Sequence, residues 1–323
     1  MNELEIIEKF IRPLSAMHPF ALHLSDDACV VDKLHTKQFV ITTDAITENV
    51  HFLSKNNPRG IAKKLLGVNL SDIAAMGAVP KYYLCSIILS KDLDLSWYAE
   101  FFASLQEQNK IYGIVAIGGD TVKHDGPTSL SVTMIGEVDK YNAISRSGAK
   151  DGDNIYVTGT LGDSAIGLMI EKDQCSFVLS EIDKMFFTTR YEEPSPRVEV
   201  GKRLVKIASA MIDISDGFIQ DAGHIATNSN VQLEINSNEL PFSQAMQKLM
   251  SEKEDLLETS LTSGDDYELL FTAPPQFDNT IKQIAESTEI KITKIGKVLK
   301  GNKVVIRDQY GKELKFSKSG YIH

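Results

Sequence analysis

Seven aspartates stand in short motifs opened by glycine, serine or threonine, and they restrict what this chain can become. They are Asp26 and Asp27 in Leu-Ser-Asp-Asp, Asp44 in Ile-Thr-Thr-Asp, Asp72 in Asn-Leu-Ser-Asp, Asp120 in Ile-Gly-Gly-Asp, and Asp213 and Asp216 in Ile-Asp-Ile-Ser-Asp-Gly. Several follow apolar runs that read as buried strands. A carboxylate at the end of such a strand is costly to desolvate unless it is paired or binds a cation. No comparable set of Lys or Arg is placed beside these motifs. Hard divalent cations would neutralise them, and all-oxygen ligation points to magnesium or manganese rather than zinc. Magnesium shares its remaining ligands with water and substrate phosphates. The residues therefore predict a metal-dependent phosphoryl-transfer site.

The 323 residues suffice for two domains. Two helix-backed mixed-sheet domains are expected, an α/β fold of the α+β kind. Strand-like runs at 28–32 and 38–44 precede a helix opened by Pro58 and running to about Ala75. A strand at 81–89, a helix from an N-cap at Ser96 to Tyr112, and strands at 113–117 and 128–138 complete a unit of residues 1–140. Residues 139–153, rich in Gly, Ser, Asp, Lys and Arg, read as a linker. Strands at 154–158, 210–214 and 231–235, with helices near 164–171, 198–207, 217–226 and 243–257, give a second unit of residues 141–323. A short amphipathic helix is expected at 3–12.

Net charge is −10, which argues against a nucleic-acid partner needing a broad basic face. Cys29, Cys85 and Cys175 form no C-x-x-C pair and suit a reducing compartment. The amino terminus lacks a signal-peptide pattern, and no apolar run approaches the ~20 residues of a membrane span. A cytoplasmic location and no membrane partner are expected.

Each motif has a plainer reading. Asp44 could cap a turn, and Asn69 with Asp72, three apart on one helix face, could be a helix-internal pair. Gly118-Gly119-Asp120 reads as a strand, a tight glycine turn and a carboxylate, where backbone N–H groups can approach a phosphate. Asp213, inside an apolar run, is not explained by helix capping. Asp265-Asp266-Tyr267-Glu268 would ordinarily be an exposed acidic loop. No Walker A string and no H-R-D or D-F-G set is present.

Taken together and in order, Thr42-Thr43-Asp44, Asn49-Val50-His51-Phe52, Val68–Ala78, Ile117–Thr121, Arg146–Asp153, Val157–Ser164, Ile212–Gly217 and Asp265–Leu269 resemble the thiamine-monophosphate kinase family. That family belongs with aminoimidazole ribonucleotide synthetase and selenophosphate synthetase. The resemblance implies ATP-dependent phosphorylation of thiamine monophosphate, several magnesium ions, and a homodimer formed through the N-terminal sheets. It implies metal ligation by Asp27, Thr42, Thr43, Asp44, Asp72, Asp120, Asp213 and Asp216, with Asp44, Asp72, Asp120 and Asp213 as the catalytic set. It implies ATP contacts from Gly119, Asp120, Arg146 and Ser215, and substrate contacts from His51, Asp265 and a C-terminal aromatic, Phe316 or Tyr321. Three places depart from the family pattern. Ser25 precedes the first Asp-Asp where Gly is usual, Ser263-Gly264-Asp265-Asp266 stands where Gly-Gly-Glu-Asp is usual, with Asp265 one methylene shorter than Glu, and Ala103 lies near the place of an adenine-contacting Tyr. A selenophosphate synthetase is disfavoured because residues 13–30 carry only Cys29, downstream of Asp26-Asp27. A hydrogenase-maturation relative would end in Cys, and this chain ends in His323. A non-catalytic sensor would have lost several of the carboxylates.

Overall fold

The computed structural model describes residues 26, 28–33, 36–253 and 256–321. Asp27 and the helical pattern at 3–12 lie outside the described residues.

The first sheet begins with β1 (Cys29–Lys33) and β2 (Lys37–Thr47). Along β2 the side chains alternate: Val40, Thr42 and Ile46 are buried, and Thr43 and Ala45 are exposed. That period of two marks a sheet with one covered face. The covering helix is α1 (Pro58–Ala75), capped by the Asn57 side chain, with 14 of its 18 residues buried. Its sequence is apolar on nearly all sides because it is enclosed: it packs on β2 and the strand Ser129–Asp139 of one sheet and on the strand Ala210–Asp213 of the other. β3 (Val79–Ser90), α2 (Leu95–Tyr112) and β4 (Val115–His124) form a parallel strand–helix–strand unit, and β5 (Ser129–Asp139) closes the sheet in the order β1-β2-β5-β3-β4.

Three details of this sheet differ from expectation. Asp94, not Ser96, caps α2 by accepting the Trp97 N–H at 2.8 Å, and Gly113 ends the helix in the left-handed region rather than opening a strand. Gly118-Gly119 is not a turn, because β4 runs straight through it. Gly119 is needed for approach instead: a Cβ there would lie 1.9 Å from the Cys85 carbonyl oxygen of β3.

The second sheet collects β6 (Asn154–Thr158), β7 (Ala210–Asp213), β8 (Val231–Asn236), β9 (Leu269–Ala273), β10 (Ile292–Lys300) and β11 (Val304–Arg307), ordered β11-β8-β10-β6-β9-β7. Ile155, Val157, Ile212, Leu233, Leu270 and Ile295 fill its core. Its helices are α3 (Asp163–Glu171), α4 (Glu181–Glu192), α5 (Val198–Leu204), α6 (Phe218–Ser229), α7 (Gln244–Glu252), α8 (Leu256–Thr262) and α9 (Asp278–Thr288). The single helix expected over 243–257 is thus two. α4 carries no apolar stripe strong enough to announce it, although Ser180 caps it and Glu181 and Asp183 occupy its first turn. Residues 140–153 contain no helix or strand but are anchored, by Ile144 N–H to the Met76 carbonyl and Met211 N–H to the Ser145 carbonyl.

Candidate functional site

A cleft of about 640 Å³ opens where α1 meets the ends of β2 and β7. Seven aspartates line it: Asp26, Asp44, Asp72, Asp213, Asp216, Asp221 and Asp265. Helix α1 assembles them by reaching in both directions. The Thr42 hydroxyl donates to Asp72 at 2.5 Å, and the Asp44 N–H donates to the Asn69 side-chain oxygen at 3.0 Å. One residue before Asp72, the Ser71 hydroxyl donates to Asp213 at 2.7 Å. Carboxylates 169 residues apart in sequence, from Asp44 to Asp213, are thereby brought to one helix turn. Asn69 is the strand anchor in this arrangement, and sequence reading missed Ser71 and Lys64 altogether.

The β7–α6 turn carries Ser215 and Asp216. Its three successive N–H groups, from Ser215, Asp216 and Gly217, all donate to the buried Asp221 carboxylate at 3.1–3.2 Å. The helix start is therefore capped by its own chain. Asp221 was not anticipated, although an Asp in the first turn of a helix is the ordinary signal for such a cap.

The acidic string 265–268 is not an exposed loop. Each residue has a separate task. Asp265 lines the cleft and receives the Lys64 ammonium at 3.3 Å and the Tyr267 hydroxyl at 2.9 Å. Burial, then the charges of Asp265 and Asp44, push the Tyr267 hydroxyl well above its usual range, so it stays a donor. Asp266 is buried and accepts the Gly162 N–H and the Ser164 hydroxyl. Glu268 is fully buried between Arg190 and Arg197 and also accepts the Thr158 hydroxyl. Burial would raise its carboxyl, but the two guanidinium charges hold it below the usual range.

Asp266 supplies a test of this packing. Burial pushes its carboxyl up to about 8, against the opposing Gly162 hydrogen bond. The folded value lies above the unfolded value of about 4, so the stabilisation is complete at low pH and is lost as pH rises towards the folded value. Asp266→Asn should flatten the dependence of Tm on pH over that window. An unaltered curve in thermal unfolding would mean that the carboxyl is ionised in the fold.

Other anticipated residues divide. Thr43, His51, Arg146 and Tyr321 line the cleft with the aspartates. His51 accepts the Thr47 N–H on Nδ1 at 3.0 Å, so its neutral ring carries the proton on Nε2. Phe316, expected against the substrate, packs instead on the second core. Tyr321 is the C-terminal aromatic that lines the cleft, its N–H donating to the Asp216 carbonyl. Gly119 and Asp120 do not line the cleft. Asp120 pairs with Ser86, Ser86 with Ser131, and Ser131 with Ala45. That row lies on the sheet face away from α1, and its Asp120 end is three strands, or about 14 Å, from β2.

Comparison with known proteins follows the same outline. The model described as AIR synthase related protein, N-terminal domain, matches residues 25–138, and its C-terminal counterpart matches 150–309. The thiamine-monophosphate kinase of Haemophilus influenzae is 36% identical over 92% of this chain and 89% of its own length. That of Bacillus subtilis is 35% identical over 100% and 99%. Among solved structures, "AaThiL complexed with AMPPCP and TMP" gives a TM-score of 0.86 at 30% identity, covering 100% of this chain and 97% of that one. A hydrogenase maturation complex, HypE-HypF, shares the fold alone, with a TM-score of 0.76 at 18% identity. Full-length identity at this level, on a chain whose cleft gathers aspartates from both of its sheets, places it: the chain belongs to the thiamine-monophosphate kinase family.

Proposed function

We propose that the cleft transfers the γ-phosphoryl group of ATP to thiamine monophosphate, giving thiamine diphosphate by direct in-line displacement. The observation that carries this reading is the convergence of carboxylates from β2, α1 and β7 on one cavity. A phosphate monoester has a second pKa of ~6 and is largely dianionic at neutral pH. It needs no general base, and the obstacle is repulsion between two anions.

The donor set fits magnesium, being all oxygen and strongly acidic. Asp44, Asp72, Asp213 and Asp216 would hold the ions, with Thr42 and Thr43 beside them. Asp27 belongs to this reading on the family motif alone. Among the described residues, no three His, Cys, Asp or Glu side chains stand close enough to hold an ion by themselves. Water and phosphate oxygens would therefore complete each shell. Bound magnesium would neutralise the facing phosphates and align them. The chain's own residues do the rest. Thr42 and Ser71 orient the Asp72 and Asp213 carboxylates through their hydroxyls. Arg146 offers a forked cation to phosphate, and Ser215 offers a hydroxyl. His51 presents its Nε2–H, and Asp265 a carboxylate, to the acceptor. Of the two C-terminal aromatics, Tyr321 rather than Phe316 would lie against the substrate.

A homodimer through the first sheet is part of this proposal. Among the described residues nothing covers the sheet face away from α1, and Tyr82, Leu84, Ile88, Val115, Ile117 and Val122 of β3 and β4 are each at least 40% exposed. Its occupant would be a second copy of the chain, because Asp120 and Gly119 are required by the family motif yet stand away from the cleft of their own chain. We place them in the partner's cleft. The two domains would divide near residue 140. A cytoplasmic location suits the free thiols Cys85 and Cys175, and no helix among the described residues is long and apolar enough to cross a membrane.

The direct test is purified protein with ATP and thiamine monophosphate, following thiamine diphosphate by fluorescence after oxidation. Product is expected with magnesium, and none after chelation or with free thiamine as acceptor. ATP binding without product would indicate a sensor.

A further inference from the structure

We propose that Lys64, enclosed behind the cleft wall, is a positioning residue that sets both Asp265 and the His51 segment for the acceptor. The proposal rests on the acceptor reading of those two residues.

Lys64 lies on α1 with its side chain 2% exposed. Its neighbours along the helix, Ile61, Leu65 and Val68, are buried and apolar. A leucine or methionine at this position would avoid the cost of burying an ammonium. The ammonium has two contacts. It lies 3.3 Å from Asp265 Oδ2 and 3.6 Å over the centre of the Tyr191 ring. The Tyr191 hydroxyl in turn donates to the His51 carbonyl at 2.9 Å. Lys64 thus touches both branches of the acceptor wall, while neither it nor Tyr191 lines the cleft. Burial pushes the ammonium below the usual lysine range, and the charges of Asp265 and Glu192 oppose that shift.

The Asp265 segment is held under strain, as ligand clamps often are. Asp265 and Tyr267 adopt φ of 69° and 51°, left-handed values uncommon for residues with side chains. The Asp265 and Tyr267 N–H groups donate to the Ser215 and Ile214 carbonyls. Gly264 is pressed so near Ser215 that a Cβ would lie 2.0 Å from its carbonyl oxygen. With Lys64 on Oδ2 and Tyr267 on Oδ1, the carboxylate has one orientation. Its outward lone pairs accept from a donor or cation in the cleft. Thiamine monophosphate offers both, an exocyclic amine and a thiazolium ring.

The test is a double-mutant cycle on Lys64→Met and Asp265→Asn, with KM measured for each substrate. Lys64→Met should raise KM for thiamine monophosphate about 10- to 100-fold, the scale of a charge-assisted hydrogen bond. KM for ATP should stay within about twofold, since no ATP contact is assigned to this wall. The double variant should be no worse than the poorer single variant, because the two act as one unit. Lys64→Gln, which keeps a donor without the charge, serves if the methionine variant does not fold, and the same rise is expected. Equal rises in both KM values, or additive losses, would overturn the proposal. So would an impaired Asp265→Asn beside an unimpaired Lys64→Met. An unimpaired Asp265→Asn would remove the acceptor reading itself, and the proposal with it.

Discussion

Asp213→Asn is expected to lower kcat by roughly 10²–10³-fold, the scale of removing one preorganised electrostatic group from a reacting centre, while leaving the fold intact. The side chain is buried and accepts the Ser71 hydroxyl. An amide oxygen can accept the same hydrogen bond, so the Ser71 hydroxyl keeps its acceptor. What the substitution removes is one negative charge from a cleft that gathers seven. Like charges in one cavity oppose one another, so the variant should unfold at the wild-type temperature or a few degrees above it. Magnesium should raise the Tm of the wild-type protein by mass action and raise that of the variant less. The kinetic and thermal measurements separate two explanations. Lost activity with a retained Tm and a diminished response to magnesium places Asp213 among the ion-binding groups. Full activity would remove it from that set.

The element order of the first sheet was legible in the sequence, whereas the pairings between distant segments were not, for physical reasons. Strands β2, β5 and β6 and helix α1 were legible because their periods and caps are local. So was Asp213, since a carboxylate inside an apolar run has no inexpensive explanation. Gly118-Gly119 was misread as a turn because a glycine pair signals conformational freedom. Its actual use, room for the Cys85 carbonyl, depends on a strand 34 residues away. The 265–268 string was misread because composition alone cannot show that Arg190, Arg197 and Thr158 surround Glu268. Lys64 escaped notice for the same reason. It falls on the apolar helix face of Ile61, Leu65 and Val68, but its partners, Asp265 and Tyr191, come from distant segments that no local pattern points to. Phe316 and Tyr321 could not be separated because both lie in a tail whose path is set by tertiary contacts.

Subunit mixing should recover activity from two inactive variants, Asp44→Asn and Asp120→Asn. Each alone is expected to be nearly dead. Asp44 shares the covered side of the first sheet with Thr42, beside α1, whereas the row Ala45, Ser131, Ser86, Asp120 lies on the other side. Two carboxylates on opposite faces, about 14 Å apart, cannot act on one phosphate within a single chain. In a two-fold dimer joined through the uncovered face, each cleft would draw Asp44 from one copy and Asp120 from the other. Co-refolded or co-expressed variants would then form mixed dimers with one cleft lacking both carboxylates and one intact. Random assortment gives about one quarter of the wild-type rate per protomer. If both residues served the same chain, every cleft in the mixture would lack one of them, and no activity would return. A dead mixture of demonstrably mixed dimers would therefore return Asp120 to its own subunit and require β4 to move on binding substrate. Recovery would establish at once that the sheet face is the interface and that the cleft of a lone chain is incomplete.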